Sequence, residues 1–469
     1  MKVRTKAVLA VALLVAAGPA LAATEQAKQL AIDKGLAYYA TPGTYGSNST
    51  EMWYSFANNG TLAATASMAL AYIEEGHLPG QDFIDLNGNN RGDIVGKMCN
   101  YIFNRATADS RFPSGGYETA GYVRYAEDYN GNLVLDDGGN NQAIYFNPAS
   151  SSRNVYTTGL CAPVVYALGE ALGKNTLVGR GSLTSSMTYG QVMQDVVDWF
   201  SWAQVEPNMG NHRGGWRYDA TYTTSDNSTA QWGALPILYA KDWGLNVPQY
   251  VKNELNLWIK YIQNANGGSG YDNPGTYVNV SKTGGLLLEI AAVDPLTDPL
   301  RPNREQEALD FIDSRWMTTP SGTWYGNLNH PYAMWAVYKA LFERGMIQQY
   351  GSGLGEDFLI GFAMSNAPGG ILIGQDWWDG VGGNPAPAYS QSGDWYSHYC
   401  DYLVGIQNSS GSWGGYSYWT GAMATGWYIN ILNAAGAPPP VNVIPEPLTV
   451  LGVLAGVAGL AGYIRKRRA

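Results

Sequence analysis

Apolar positions along the middle of the chain fall into two alternating kinds of helical stretch. The unit is clearest in 251–293. There VKNELNLWIKYIQ carries one apolar stripe, NANGGSGYDNPGTYVNV is a polar turn rich in Gly, Asn and Tyr, and SKTGGLLLEIAAV is apolar over most of its circumference. The order returns as LAIDKGLAYYATPGTYG then TLAATASMALAYIEEG, and as KMCNYIFNRA, SGGYE and VYTTGLCAPVVYALGEALG. It appears again as QDVVDWFSWAQ, RGGWRYD and STAQWGALPILYAKDWG, as ALDFIDSRW, SGTWYG and HPYAMWAVYKALFERG, and as HYCDYLVGIQNSSGSWGGYSYWTGAMATGWYINILNAAG. A helix apolar on all sides must be buried, whereas a striped helix can face water. Six such pairs bury their second helices only by stacking, and a closed ring leaves no exposed end. The pattern predicts an all-α body, residues 23–437, folded as an α6/α6 toroid.

The two ends follow other rules. Residues 1–22 combine a basic start, an apolar run and the small-residue site Ala20-Leu21-Ala22, which predicts a secretory signal peptide and export. Residues 438–447 form a Pro-rich linker ending in Pro445, Glu446 and Pro447. The uncharged apolar run 448–464 has the roughly 17 residues needed to cross a bilayer. The tail 465–469, with Arg465, Lys466, Arg467 and Arg468, resists crossing and keeps the body outside the inner membrane. This ordered set of Pro-Glu-Pro, one span and a basic cluster resembles the PEP-CTERM sorting signal of Gram-negative bacteria. The resemblance implies an exosortase-type partner, anchoring in the membrane through the span, and passage to the cell surface or extracellular space.

Composition narrows the ligand classes. Charged residues make up 14% of the chain, against about a quarter in typical proteins, while 33 Tyr, 16 Trp and 58 Gly point to an aromatic-rich surface or cavity joined by many turns. A net charge of −10 argues against nucleic acid, whose affinity for proteins comes mainly from Lys and Arg. Cys99, Cys161 and Cys400 each sit in an apolar helical pattern, as buried thiols do.

The elements Tyr402-Leu403 through Gln407 to Gly411-Ser412-Trp413, with looser copies at Lys34-Gly35 and at Gln263 to Gly267-Gly268, resemble the Gln-Trp repeats of squalene cyclases. GGWRYD, a polar loop and STAQWGALPILYAKDWGL likewise resemble the prenyltransferase and squalene-oxidase repeat. The resemblance implies the terpenoid-cyclase toroid. Cyclases of this family open an inner helix with Asp-x-Asp-Asp-Thr-Ala, whose central Asp protonates the substrate. Matching Thr229-Ala230 to that Thr-Ala sets Ser225, Asp226, Asn227 and Ser228 at the preceding positions, so the amide of Asn227 stands where the acid belongs. The zinc set of the prenyltransferases is missing its Asp-x-Cys, His398 and Cys400 at i and i+2 point to different sides of a helix, and Cys161 lacks the surrounding motif of the thioester branch. The resemblance therefore implies the fold without the cyclase, prenyltransferase or thioester chemistry.

Candidate chemistry remains at several places. Asp226 to Thr229 precede an apolar helix, so they read either as a cap or as part of a site. In a ring, the N-termini of the inner helices gather at one mouth, whose summed partial positive charges favour acidic or strongly polar ligands. That mouth would collect Tyr156, Thr157, Asp226 to Thr229, Lys282, Thr283, His330, Tyr332 and Thr420, and the candidate ligand-binding residues are Trp216, Arg217, Asp226, Asn227, Tyr332, Trp377 and Trp378. In GQDWWDG, Asp376 and Asp379 flank Trp377 and Trp378, a combination that suits sugars or a loop pinned by two indoles. Asp226, His330, Asp376 and Asp379 are the candidate catalytic groups. Asp85, Asn87, Asn89 and Asp93 share the spacing D-x-N-G-N-x-x-x-D with Asp128, Asn130, Asn132 and Asp136. Those are oxygen-ligand positions of a calcium loop, although Gly96 and Gly139 replace its bidentate acid and Asn-Gly turns alone account for each copy. Two functions follow: a binding or structural protein at the cell surface or in the extracellular matrix, or an extracellular carbohydrate-active enzyme, hydrolase or lyase, working on polysaccharide at the toroid mouth.

Overall fold

The computed structural model describes residues 25–56, 60–85, 87–110, 118–119, 122–123, 143–147, 153–293, 295–316, 326–343 and 395–433. The expected signal peptide, the loop of Asp128, Asn130, Asn132 and Asp136, the segment of Asp376, Trp377, Trp378 and Asp379, and the whole tail from 438 onward, including Pro445, Glu446, Pro447, Arg465, Lys466, Arg467 and Arg468, lie outside the described residues.

Within them the chain is predominantly helical. The helices are α1 Glu25–Tyr39, α2 Thr61–Glu74, α3 Arg91–Phe103, α4 Asn154–Leu172, α5 Tyr189–Ala203, α6 Ala230–Trp243, α7 Gln249–Ile262, α8 Val280–Val293, α9 Arg304–Asp313, α10 Pro331–Glu343, α11 Trp395–Ile406 and α12 Gly421–Leu432. The helical pattern does not show three short antiparallel pairs: β1 Gly46–Ser47 with β2 Met52–Trp53, β3 Ala106–Ala108 with β6 Ile144–Phe146, and β4 Glu118–Thr119 with β5 Tyr122–Val123. Strands of two or three residues lie below the length at which alternation can be read.

Even-numbered helices pack on one another in order: α2 on α4, α4 on α6, α6 on α8, α8 on α10, α10 on α12, and α12 back on α2. Odd-numbered helices lie against them, α3 on α2, α5 on α4 and α6, α7 and α9 on α8, and α1 and α11 on α12. Burial follows the two sequence patterns. Every residue of α8 is buried, whereas α7 buries only the stripe Tyr250, Val251, Glu254, Leu255, Trp258, Ile259 and Ile262. One odd helix departs from its pattern. α5 is buried on nearly all sides because the β3–β6 pair covers it, with Tyr145 stacked on Trp199 and the Trp199 indole donating to Asp109 Oδ2 at 3.0 Å.

A recurring turn ties three of the odd helices, α5, α7 and α11, to α7, α9 and α1 in turn. Gln407 Nε2 donates to Gly411 O of its own turn (2.9 Å) and to Ala31 O of α1 (2.7 Å). Gln263 does the same with Gly267 O (2.9 Å) and Arg304 O of α9 (2.8 Å), and Gln204 with Gly214 O (2.8 Å) and Val251 O of α7 (3.0 Å). In two of these turns a Trp indole donates back to the carbonyl four residues before the Gln: Trp413 to Leu403 O and Trp216 to Phe200 O, both at 2.8 Å. At Gly411 φ is +95°, and an added Cβ would stand 2.3 Å from Lys34 O, so a left-handed residue with no side chain is required there. Through this turn the last repeat is fastened to the first helix.

Glu289 sits in the middle of α8 with neither carboxylate oxygen hydrogen-bonded among the described residues. Burial raises its pKa well above the ordinary value. The folded state thus holds a proton that the unfolded chain releases, so stability is lost as pH rises from the unfolded value toward the folded one. Glu289→Leu should stabilise the protein at neutral pH by about 1–3 kcal/mol, the usual cost of an uncompensated buried polar group, and flatten the loss between pH 5 and 8. Urea denaturation across that range is the measurement, and a variant less stable than the parent at pH 7 would contradict it.

Candidate functional site

The N-terminal ends of five even-numbered helices converge on a cavity of about 420 Å³. Tyr156 comes from the first turn of α4, Ser228 from just before α6, Ser281 and Lys282 from the start of α8, Tyr332 from the start of α10, and Trp419 from just before α12. Arg153, Tyr218, Tyr271, Tyr277, Asn279 and Tyr418 complete the lining from the intervening loops. The left-handed non-glycine residues among those described, Tyr277, Asn329 and Ser417, all stand in loops that enter these helices, where backbone strain commonly accompanies a shaped site.

Aromatic faces form much of the wall. Tyr156 stacks on Tyr218 with centroids 6.0 Å apart, Tyr332 meets Trp419 at 4.9 Å, and Tyr277 and Tyr418 are exposed at the rim. The Tyr218 and Tyr271 hydroxyls are 2.9 Å apart. Arg153 lies over the Tyr218 ring at 5.6 Å and Lys282 by the Tyr271 ring at 5.8 Å, so two cations flank the tyrosine pair. No described lining residue is a carboxylate.

Asp226 lies behind this wall, fully buried. Its Oδ1 accepts from the Ser228 and Thr229 amides (2.9 and 3.1 Å) and from Ser228 Oγ (2.5 Å), and its Oδ2 is 3.6 Å from Arg217 Nε. With the Ser228 proton committed to Asp226, the Tyr156 hydroxyl is the donor in its 2.7 Å bond to Ser228 Oγ. Burial pushes the Asp226 pKa up, opposed by Ser228 and Arg217. Capping here works one step before the helix: the Thr229 hydroxyl donates to Trp216 O (2.7 Å), which leaves Asp226 to hold the turn.

Asn227, a candidate for ligand contact, is spent on structure. Its Nδ2 donates to Ser269 Oγ (2.8 Å) and Lys282 O (3.0 Å), its Oδ1 accepts from the Trp258 indole (2.9 Å), and its backbone N–H reaches Tyr271 O (2.7 Å). Trp216 is likewise a core residue, its ring against Gly233 of α6. Thr157 and Thr283 spend their hydroxyls on Phe146 O (2.7 Å) and Asn279 O (2.8 Å). His330 is buried beside Tyr416 and Trp419, its Nδ1 accepts from the Ala333 amide (3.4 Å), and burial with nearby Lys282 holds its pKa down near about 3. It is a neutral cap of α10 at ordinary pH. His212 Nδ1 accepts from the Ser225 amide at 3.2 Å.

The floor of the cavity is closed. Tyr332 donates to Ser228 O and receives Gln231 Nε2 at 2.8 Å, and behind them Lys339 is buried 4.0 Å from the Trp232 centroid and 5.7 Å from that of Trp335. The aromatic cluster of Trp232, Trp335 and Trp427 therefore already holds a residue of its own, and burial drives the Lys339 pKa far below its usual value.

The first Asp-Asn loop is packed as a turn. Asp85 Oδ1 accepts from the Asn87 and Asn89 amides (2.9 and 3.0 Å), and Arg91 Nε stands 3.7 Å from Oδ2. Asn90 caps α3, and Asp93 pairs with Lys97 at 2.9 Å. The positive charge beside Asp85 is thus supplied by Arg91. Among the described residues no three His, Cys, Asp or Glu side chains are grouped to hold a metal ion. Cys99, Cys161 and Cys400 are buried and unbridged, and His398 Nδ1 accepts from the Trp316 indole at 2.9 Å.

The chain matches no protein-family model and no curated protein sequence.

Proposed function

We propose that this is an exported α6/α6 toroid whose mouth binds saccharide, delivered to the cell surface by its PEP-CTERM-like tail. The observation that carries the reading is the cavity of tyrosines, Trp419 and hydroxyls at the converging helix ends. Aromatic faces cover the apolar side of a pyranose while hydroxyls and amides meet its polar edge. The packing order that returns from α12 to α2, and the Gln407 turn that grips α1, support the closed ring.

Terpene cyclisation fits the site poorly. Asp226 is locked behind Ser228, Asn227 is a cross-link, and the aromatic centre is filled by Lys339. No described lining residue is acidic, so the described lining offers no carboxylate pair for hydrolysis. Titration of the purified protein with a panel of neutral and acidic oligosaccharides tests the reading, with product analysis of the same mixtures. Saturable binding without cleavage is expected. Cleavage would shift the reading to a carbohydrate-active enzyme, and squalene turnover abolished by Asp226→Asn would overturn it.

A further inference from the structure

Lys282 stands apart from the other charged groups of the site. Its residue is 4% exposed, it lines the cavity, and its amine has no hydrogen bond or ion pair among the described residues. A buried ammonium without a counter-ion is costly, and such groups are paired in nearly all folded proteins. The charged and titratable groups around it come from every neighbouring element: Asp226 before α6 and Arg217 paired with it, Tyr271 from the loop before α8, His330 just before α10 and Tyr332 on it, and Arg153 and Tyr156 at α4. Asp226 is held by Ser228, Thr229 and Arg217, so it leaves Lys282 without a direct partner. Arg153 adds a second cation across the Tyr218–Tyr271 pair. The helix ends that line the cavity add partial positive charge to the same space.

We infer that the saccharide bound here carries a carboxylate, as a uronic acid does, and that this carboxylate pairs with Lys282 inside the aromatic cavity, with Arg153 at the rim. The inference rests on the saccharide reading and adds the charge of the ligand. Burial holds the Lys282 amine down to about 8. Binding of the carboxylate therefore weakens as pH rises through that value and the ammonium is lost.

Isothermal titration calorimetry of the full-length protein with oligogalacturonate and with its fully methyl-esterified form separates the two claims. The acid form is expected to bind about 10- to 100-fold more tightly at pH 7, the range of a charge-assisted hydrogen bond. Lys282→Met should remove most of that preference by weakening the acid form far more than the ester, Lys282→Arg should retain it, and affinity for the acid should fall between pH 7 and 9. Arg153→Ala, at an exposed position, should weaken the acid form by a smaller factor and guards against a Lys282 variant that fails to fold. Equal binding of acid and ester, or a preference that survives Lys282→Met, overturns the carboxylate assignment and leaves the saccharide reading standing. Binding of neither form overturns the carboxylate assignment, and the saccharide reading falls with it if the neutral oligosaccharides fail as well.

Discussion

Asn227→Asp should destabilise the protein by roughly 2–5 kcal/mol and create no cyclase. The substitution restores an acid at the position where cyclases carry one, yet the amide it removes makes two donor bonds that a carboxylate cannot make. Lys282 O, a carbonyl, would then face a carboxylate oxygen at the 3.0 Å now spanned by a hydrogen bond. Each buried group left unsatisfied costs about 1–3 kcal/mol, and more when charge is involved. Trp258 would keep its acceptor, so part of the cross-link would survive. Urea unfolding of the variant gives the number. A variant as stable as the parent would show that the position is free to hold an acid.

Gly411→Ala has a comparable expected effect, from packing and backbone geometry together. The residue has φ of +95°, and an added Cβ would approach Lys34 O to 2.3 Å. Such strain and overlap cost about 2–4 kcal/mol together, because the contact is with backbone that cannot swing aside. The turn joins the last described repeat to α1, so the loss should appear as one cooperative transition at lower temperature. A local transition confined to α1 would argue that the ring is not closed through this turn.

Much of the scaffold is legible in the sequence because burial imposes a periodicity. α7 and α8 differ in apolar circumference, and the structure buries one stripe of α7 and every residue of α8, as this difference requires. The Gln-to-Gly turns are legible for a different reason: the amide of Gln407 and the left-handed Gly411 are used at fixed spacing, and Gln263 with Gly267 repeats it. The α5 helix shows where the rule stops. Its outward face is covered by a pair of three-residue strands, and the helix's own pattern does not reveal which distant segment will lie on it.

The site is half legible. Tyr156, Lys282 and Tyr332 follow from the expectation that the starts of the all-apolar helices gather together, and those starts do line one cavity. Tyr218, Tyr271, Tyr277, Tyr418 and Trp419 come from loops whose approach has no period, although an excess of Tyr and Trp in polar turns such as YDNPGTYVN and GYSYWT is a usable signal. Asn227 misleads a motif-based reading. An amide at a functional position looks like altered chemistry, while here it supplies donors and an acceptor to three different elements of the fold.

The account turns on whether the mouth takes a sugar. Calorimetric titration of the protein and its Trp419→Ala and Tyr332→Ala variants with the oligosaccharide panel tests this most directly, since both side chains line the cavity. The account predicts saturable binding by the parent that weakens at least tenfold in both variants, the order expected for loss of one stacking face. A panel that gives no binding heat with the parent, or binding indifferent to both substitutions, would contradict it.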